Sequence, residues 1–110
     1  MIYRMRIYQT VRENMPLFHD FFRTFLLPVQ KRHGARLIGR WETEDGRVVA
    51  VWEYDDRASY ERIEAAVRAD PQSVRAQERR AELPPLITSQ EEVFMTATVQ
   101  TDGPGQRRPR

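Results

Sequence analysis

The chain of 110 residues has no cysteine. Disulfides, thiolate nucleophiles and cysteine-based zinc sites are therefore excluded together. Histidine is nearly as scarce: His19 and His33 are the only two, too few for metal-ligand spacing, so neither a metal nor another cofactor is expected. No run approaches the roughly 20 apolar residues of a membrane-spanning helix, and no charged-then-apolar leader opens the chain. A soluble cytoplasmic protein with no membrane partner is the expectation. There is no glycine-rich phosphate loop, no nucleophile elbow and no Ser-His-Asp order. A basic excess is also missing from the body of the chain. The formal net charge is +2, but Arg107, Arg108 and Arg110 face a single acid, Asp102, beyond Gln100, so residues 1–100 balance to zero. Nucleic-acid binding through such a surface is not expected.

What is present is hydrophobic patterning of two periods. Ile2 to Gln9 alternates, with Tyr3, Met5 and Ile7 on one face and Ile2, Arg4, Arg6 and Tyr8 on the other, which predicts a strand. Phe18, Phe21, Phe22, Phe25, Leu26 and Val29 recur at helical spacing after Asn14, a possible N-cap, and Pro16. Pro28 inside this stripe predicts a kink near Leu27; Gly34 marks the stop, and His33 is expected to cap helix carbonyls. His33 to Asp56 then reads as strand, turn, strand and new helix start. Asp45-Gly46 between alternating apolar residues predicts a two-residue hairpin loop. In that register Trp41 lies opposite Ala50, Gly39 opposite Trp52 and Leu37 opposite Tyr54. Asp55 or Asp56 caps a helix with Tyr60, Ile63, Ala66 and Val67 inside. Asp70-Pro71 starts a further turn or two of helix burying Val74, Ala81 and Leu83. Ile87 to Val99 reads as a last strand, and residues 100–110 as a disordered basic tail.

Strand, helix, strand, strand, helix, strand is the split β-α-β unit of ferredoxin-like folds. The expected class is α+β: a ferredoxin-like βαββαβ domain over residues 1–99 with one four-stranded antiparallel sheet, helices on one side. The other side, expected to carry Ile38, Val49, Val51 and Phe94 among Arg36, Arg40, Glu42 and Glu53, has no helix left to cover it. A second copy packed sheet to sheet is the economical cover, so a homodimer is expected.

Five segments (MIYRMRIYQT, the Pro-bearing first helix, KRHGARLIGRWETEDG, VVAVWEYDD and SQEEVF) resemble the NIPSNAP family of the dimeric α/β-barrel superfamily, from residue 2 to about 95. The resemblance implies a ferredoxin-like protomer that pairs its sheet with a partner's. It also implies a superfamily holding cofactor-free monooxygenases, isomerases, haem proteins and proteins without known catalysis, several with a ligand between sheet and helices. The chain departs from the family pattern at Arg4, where an acid is frequent, at Arg40, where an aromatic is usual, and at Ala50, where a histidine is frequent.

Trp41, Trp52, Tyr54 and Tyr60 form the expected aromatic wall of a small-molecule pocket, or else a plain core. Arg4, Arg6 and Tyr8 share one face of the first strand, a guanidinium array that can hold a carboxylate or enolate or pair with nearby glutamates. Periodicity leaves open whether that face meets the helices or the partner sheet. His19 stands beside the apolar stripe as a possible base near the pocket mouth. The functional expectation is a small-molecule-binding homodimer with possible cofactor-free oxygenase- or isomerase-type chemistry. In it Arg6 stabilises negative charge, Tyr54 donates a hydrogen bond, and Tyr8, Trp41, Trp52, Tyr60 and His19 shape the ligand site. The alternative is a non-catalytic scaffold in which the barrel serves only dimerisation.

Overall fold

The alternating residues Ile2–Thr10 form β1, a central strand of a four-stranded sheet in the order β2-β3-β1-β4. The computed structural model describes residues 1–99; the basic tail expected at 100–110 lies outside the described residues. β2 is Arg36–Glu42, β3 is Arg47–Tyr54 and β4 is Ile87–Met95. All neighbours are antiparallel. Helices cover one face, as a ferredoxin-like α+β fold requires.

The phenylalanine-rich segment is helical throughout but not uniform. α1 is Met15–Phe21, a π-helical turn spans Phe22–Leu26, and α2 is Leu27–Arg32. The expected break near Leu27 takes this form because Pro28 has no N–H to give to the preceding turn. The widened turn ahead of it sends the Leu27 N–H to the Phe22 carbonyl, five residues back. Asn14 does not cap with its side chain; its Nδ2 donates instead to the Pro85 carbonyl at 2.7 Å, tying the helix start to the segment before β4.

The hairpin corrects the expected register. Among the described residues only Gly34 and Gly46 have positive φ, whereas the two-residue loop needs it at Asp45 as well. The chain adopts a longer closure: the Thr43 N–H donates to Arg47 O at 2.8 Å and the Gly46 N–H to Thr43 O at 3.1 Å. The Arg47 N–H donates to Thr43 Oγ1 at 2.9 Å. One left-handed glycine after an ordinary turn suffices for this geometry. Trp41 consequently pairs with Val49, and Arg40 takes the place opposite Ala50. A register shift between Leu37 and Gly39 brings Leu37 opposite Trp52. Trp41 is 51% exposed on the open face, its ring lying over Gly39 where a Cβ would stand, an edge-strand use of glycine.

The same alternation reassigns other residues. Arg40 and Glu42 lie on the helix face, not the open one, and so does Phe94, packed edge-on against Tyr60 at 5.0 Å between centroids. The open face carries Tyr3, Met5, Ile7, Val49, Val51 and Val93. At its rim Glu53 accepts from Tyr3 Oη at 3.0 Å and from Arg36 Nε at 2.9 Å. β4 ends at Met95 rather than Val99.

α3, Arg57–Ala69, starts from Asp56, whose carboxylate accepts the Ser59 N–H at 2.7 Å. α4 is Pro71–Glu82, three turns where one or two were expected. It buries Ala76, leaving Val74 and Ala81 exposed; Ala76 joins Met15, Phe18, Phe21, Val48 and Leu86 in the core.

Asp70 joins three elements. It accepts the Gln72 N–H at 2.9 Å, Arg32 Nη2 at 2.8 Å and His33 Nε2 at 2.8 Å. His33 thus serves the α3–α4 junction rather than helix carbonyls. The Arg32 guanidinium first, then the Gln72 N–H and His33, hold the Asp70 carboxyl well below the usual carboxylate range. A depressed folded-state value stabilises at pH above the unfolded carboxylate value, about 4, and the contribution fades as pH falls below it. Asp70→Ala is therefore expected to lower the melting temperature most at neutral pH. The gap to the parent chain should narrow between pH 4 and 2, measured by thermal denaturation of both at matched salt.

Candidate functional site: a cationic cavity between sheet and helices

Strand alternation points Arg4, Arg6 and Tyr8 of β1 at the helices, beside Val48, Ala50, Trp52 and Tyr54 of β3 and Gln90 and Glu92 of β4. The parity that the sequence left open is thereby fixed. Above them, the π turn presents Phe22, Phe25 and Leu26, followed by Val29 and Gln30 of α2. The two layers enclose a cavity of about 310 Å³, closed at the side by Val67, Ser73 and Arg80. Ala50 makes its floor low: it is the small residue between Arg6 and Arg40 across the sheet, next to Trp52, which is 5% exposed. Phe22 and Trp52 meet at 6.2 Å, and Tyr8 packs edge-on against Phe18 at 5.4 Å. The roof is thus apolar and aromatic, with the charge below it.

Three guanidiniums lie in this interface, each compensated differently. Arg4, 5% exposed, has Nη2 3.3 Å from Glu92 Oε2, Nη1 3.9 Å from Glu64, and its charge 5.2 Å from the centre of the Tyr60 ring. Burial works against its charge, but the Glu92 bond and neighbouring groups prevail and raise its pKa. Its Nε lies 3.2 Å from Glu92 Oε1 yet is not aligned to bond it. Arg40 is sandwiched between the rings of Phe22, at 4.3 Å, and Phe18, at 4.8 Å. Burial lowers its pKa to about 10, which keeps it charged at neutral pH.

Among the described residues Arg40 makes no ion pair and leaves its Nη2 without a partner, but it does not line the cavity. Of the three only Arg4 and Arg6 do, and Arg6 is the less compensated. It donates to the neutral side chain of Gln90 and stands 5.2 Å over the Tyr8 ring. Among the described residues it makes no ion pair, although Glu92 is its direct cross-strand neighbour; Glu92 reaches diagonally to Arg4 instead. The Nε of Arg6 and the Oε1 of Gln30 are buried without a partner, and both residues line the cavity. Unmet buried polar groups of this kind suit a ligand that carries an acceptor for the cation and hydrogen-bonding capacity for the amide.

Of the residues expected to form the site, Arg6, Tyr8 and Trp52 line the cavity. Tyr54, 1% exposed, and Tyr60 stand outside it, edge to face at 5.1 Å. Burial raises the pKa of both phenols, with Arg4 opposing, so they remain protonated and wall in Arg4. Trp41 is on the opposite face of the sheet. His19 is also elsewhere: Arg40 Nη1 donates to its Nδ1 at 2.8 Å, and its Nε2 meets Glu42 Oε1 at 2.9 Å. An arginine can only donate, so the ring proton lies on Nε2. With both nitrogens engaged, His19 closes the cation–imidazole–carboxylate chain that holds Arg40. Gln30, Ser73, Arg80 and Gln90 were not foreseen. A glutamine after a kink, or one arginine in an arginine-rich helix, carries no sequence signal of its own. Among the described residues no group of His, Asp and Glu could hold a metal ion, and no helix is long and apolar enough to cross a membrane.

A NIPSNAP domain protein from Burkholderia xenovorans is 28% identical, with a TM-score of 0.80 over 93% of this chain and 100% of that one. A NIPSNAP family protein from Agrobacterium tumefaciens is 22% identical, TM-score 0.77, over 88% and 92%. A candidate antibiotic biosynthesis monooxygenase from Nitrosomonas europaea shares the fold at 13% identity, TM-score 0.64, over 90% and 100%. No curated protein matches the chain. Residues 3–100 match the NIPSNAP family as a whole, and the chain belongs to that family.

Proposed function

We propose that this protein is a homodimer that binds a small organic anion, with an aromatic or other apolar body, between its sheet and its helices. The observation that carries the ligand reading is Arg6, a guanidinium on the wall of an aromatic cavity with no acidic partner among the described residues. Cavities of a few hundred Å³ with apolar walls and a few polar groups are the usual form of small-molecule sites. A barrel serving only as a dimerisation device has no use for such a space, which weighs for the ligand over the scaffold.

The site favours anion stabilisation over acid–base work. Among the described residues no carboxylate and no imidazole lines the cavity, so a ligand arrives ionised or loses its proton to solvent. Chemistry that follows binding is of the cofactor-free kind. Arg6 holds negative charge developing on a ligand oxygen, as in an enolate, and Tyr8 and Trp52 fix the body of the molecule. The Nitrosomonas europaea protein of the same fold, a candidate monooxygenase, makes oxygenase-type chemistry the first kind to test, with isomerase-type chemistry beside it. Tyr54 and Tyr60 act one step back, as the walls that hold Arg4.

Dimerisation follows from the other face. Met5, Ile7, Val49, Val51 and Val93 form an apolar surface, with Trp41 at its edge, and all the helices lie on the opposite side. A second copy applied about a twofold axis matches apolar strand residues to the same residues.

Two measurements test the halves separately. Native mass spectrometry of the parent chain is expected to show a dimer. Val51→Arg, which places an unpaired charge at the centre of the open face, is expected to weaken association by at least 100-fold, about 3 kcal/mol; a monomeric parent chain overturns the sheet-on-sheet reading. For the cavity, Trp41→Phe leaves Trp52 as the sole indole, whose fluorescence reports occupancy. Benzoate is expected to bind more tightly than benzamide. Arg6→Met should remove that preference, at a cost of about 10- to 100-fold to benzoate, and Ala50→Leu should abolish binding of both while keeping the fold. Equal binding of the acid and the amide contradicts the anion reading.

A further inference from the structure

The cavity has a neighbour that its polar lining does not explain. A groove of about 390 Å³ lies on the outer side of the helical layer, walled by Phe21, Leu26, Val67, Val74 and Ala76 with Arg68 and Gln77 at its rim. Four residues, Leu26, Val67, Ser73 and Arg80, line both spaces. The division follows the layers. The inner cavity takes its floor from β1, β3 and β4, whereas among the described residues the groove is lined by none from a strand and is made by the end of α1, the π turn, α3 and α4. The boundary they share is held by the Ser73 hydroxyl, which donates to the Val67 carbonyl at 2.6 Å and fixes the start of α4 against the end of α3. Val74, 53% exposed, is an uncovered apolar residue on a helix otherwise rich in Arg, Gln and Glu, and it faces this groove.

Polarity runs in one direction along the two spaces. Arg4, Arg6 and Gln30, with their unpartnered buried atoms, belong to the inner cavity alone. The apolar side chains Phe21, Val74 and Ala76 belong to the groove alone. Arg80 stands at the junction, without an acidic partner among the described residues. Phe21 and Ala76 are already buried, so the apolar group that a molecule confined to the inner cavity leaves in water is Val74, with the partly exposed Leu26 and Val67 beside it. An apolar extension that covers them gains the burial of that surface.

Resting on the anion reading above, we infer that the ligand is an amphipathic monoanion: its charged head lies against Arg6, and an aliphatic chain passes between Leu26, Val67 and Ser73 into the groove. The substrate class is then a medium-chain carboxylate or a β-keto or enol analogue of one, rather than a compact aryl acid. Arg80, exposed and lining both spaces, adds positive charge along the path of the ligand, which favours an anion over a neutral amphiphile.

The test is a homologous series of straight-chain carboxylates from butanoate to dodecanoate, titrated into the Trp41→Phe protein with Trp52 fluorescence as the readout and concentrations kept below micelle formation. Affinity is expected to rise by up to about fourfold per added methylene while the chain enters the groove, then to level off once it protrudes. Val74→Glu, at an exposed helical position that tolerates substitution, places a carboxylate in the groove and is expected to flatten the series. Arg6→Met is expected to lower every member by the same factor and keep the slope. A flat series in which butanoate and benzoate still bind overturns the amphiphile inference and leaves the anion site standing. A rising series that Val74→Glu does not flatten also overturns it, because the chain then lies elsewhere. If no carboxylate of any length binds, the anion reading fails with it.

Discussion

A guanidinium beneath a layer of helices has lost most of its water, and the loss costs several kcal/mol unless other groups replace it. This protein places three in one interface, and much of its inner architecture answers that requirement. Arg4 is met by Glu92, Glu64 and the Tyr60 ring. Arg40 is met by two phenylalanine faces, a cheaper form of compensation that needs no second buried charge, and by a histidine locked by Glu42. Arg6 receives an amide and one tyrosine ring. Arg40 and Arg6 each keep a buried nitrogen without a partner, but of these two only Arg6 does so on the wall of the cavity, and that coincidence locates the site.

Most of the fold was legible in the sequence because its cues are local and redundant. Alternation from Ile2 to Gln9, the phenylalanine stripe, Gly34 and Asp56 each specify an element without help from distant residues. The hairpin shows where such cues stop. Asp45-Gly46 announces a turn, but a two-residue and a three-residue closure both accept it, and they differ in whether Glu44 ends the strand or enters the turn and in the sign of φ at Asp45. That difference of one residue exchanges Trp41 for Arg40 on the helix face. A pocket expected between two tryptophans is therefore a cavity with one tryptophan, and Arg40 is held apart from it between the rings of Phe18 and Phe22.

The cavity itself was half legible. Arg6, Tyr8 and Trp52 lie on strands, where period two makes shared faces readable, and Ala50 already marked a space where the family frequently has a histidine. Gln30 comes from α2, whose placement depends on the π turn at Phe22–Leu26, and Ser73 and Arg80 come from α4, brought to the cavity by tertiary packing. Widening one turn rotates everything after it relative to everything before it. A sequence wheel drawn at 3.6 residues per turn through Pro28 cannot assign Gln30 to the cavity, and nothing in an arginine-rich α4 singles out Arg80.

β1 carries the consequences of both faces at once. Its inward residues, Arg4, Arg6 and Tyr8, belong to the cavity; its outward residues, Tyr3, Met5 and Ile7, belong to the open surface. A one-residue slip would put three apolar groups under the helices and two guanidiniums on the open face, destroying cavity and surface together. Such a strand has to be held on both sides, and it is: β3 and β4 pair with it over nearly its full length, and the single irregularity falls between Gln9 and Thr10, beyond the last residue that either face uses. A central position for the first strand is thus the physical condition for placing a charged site and an apolar surface back to back on one ribbon of nine residues.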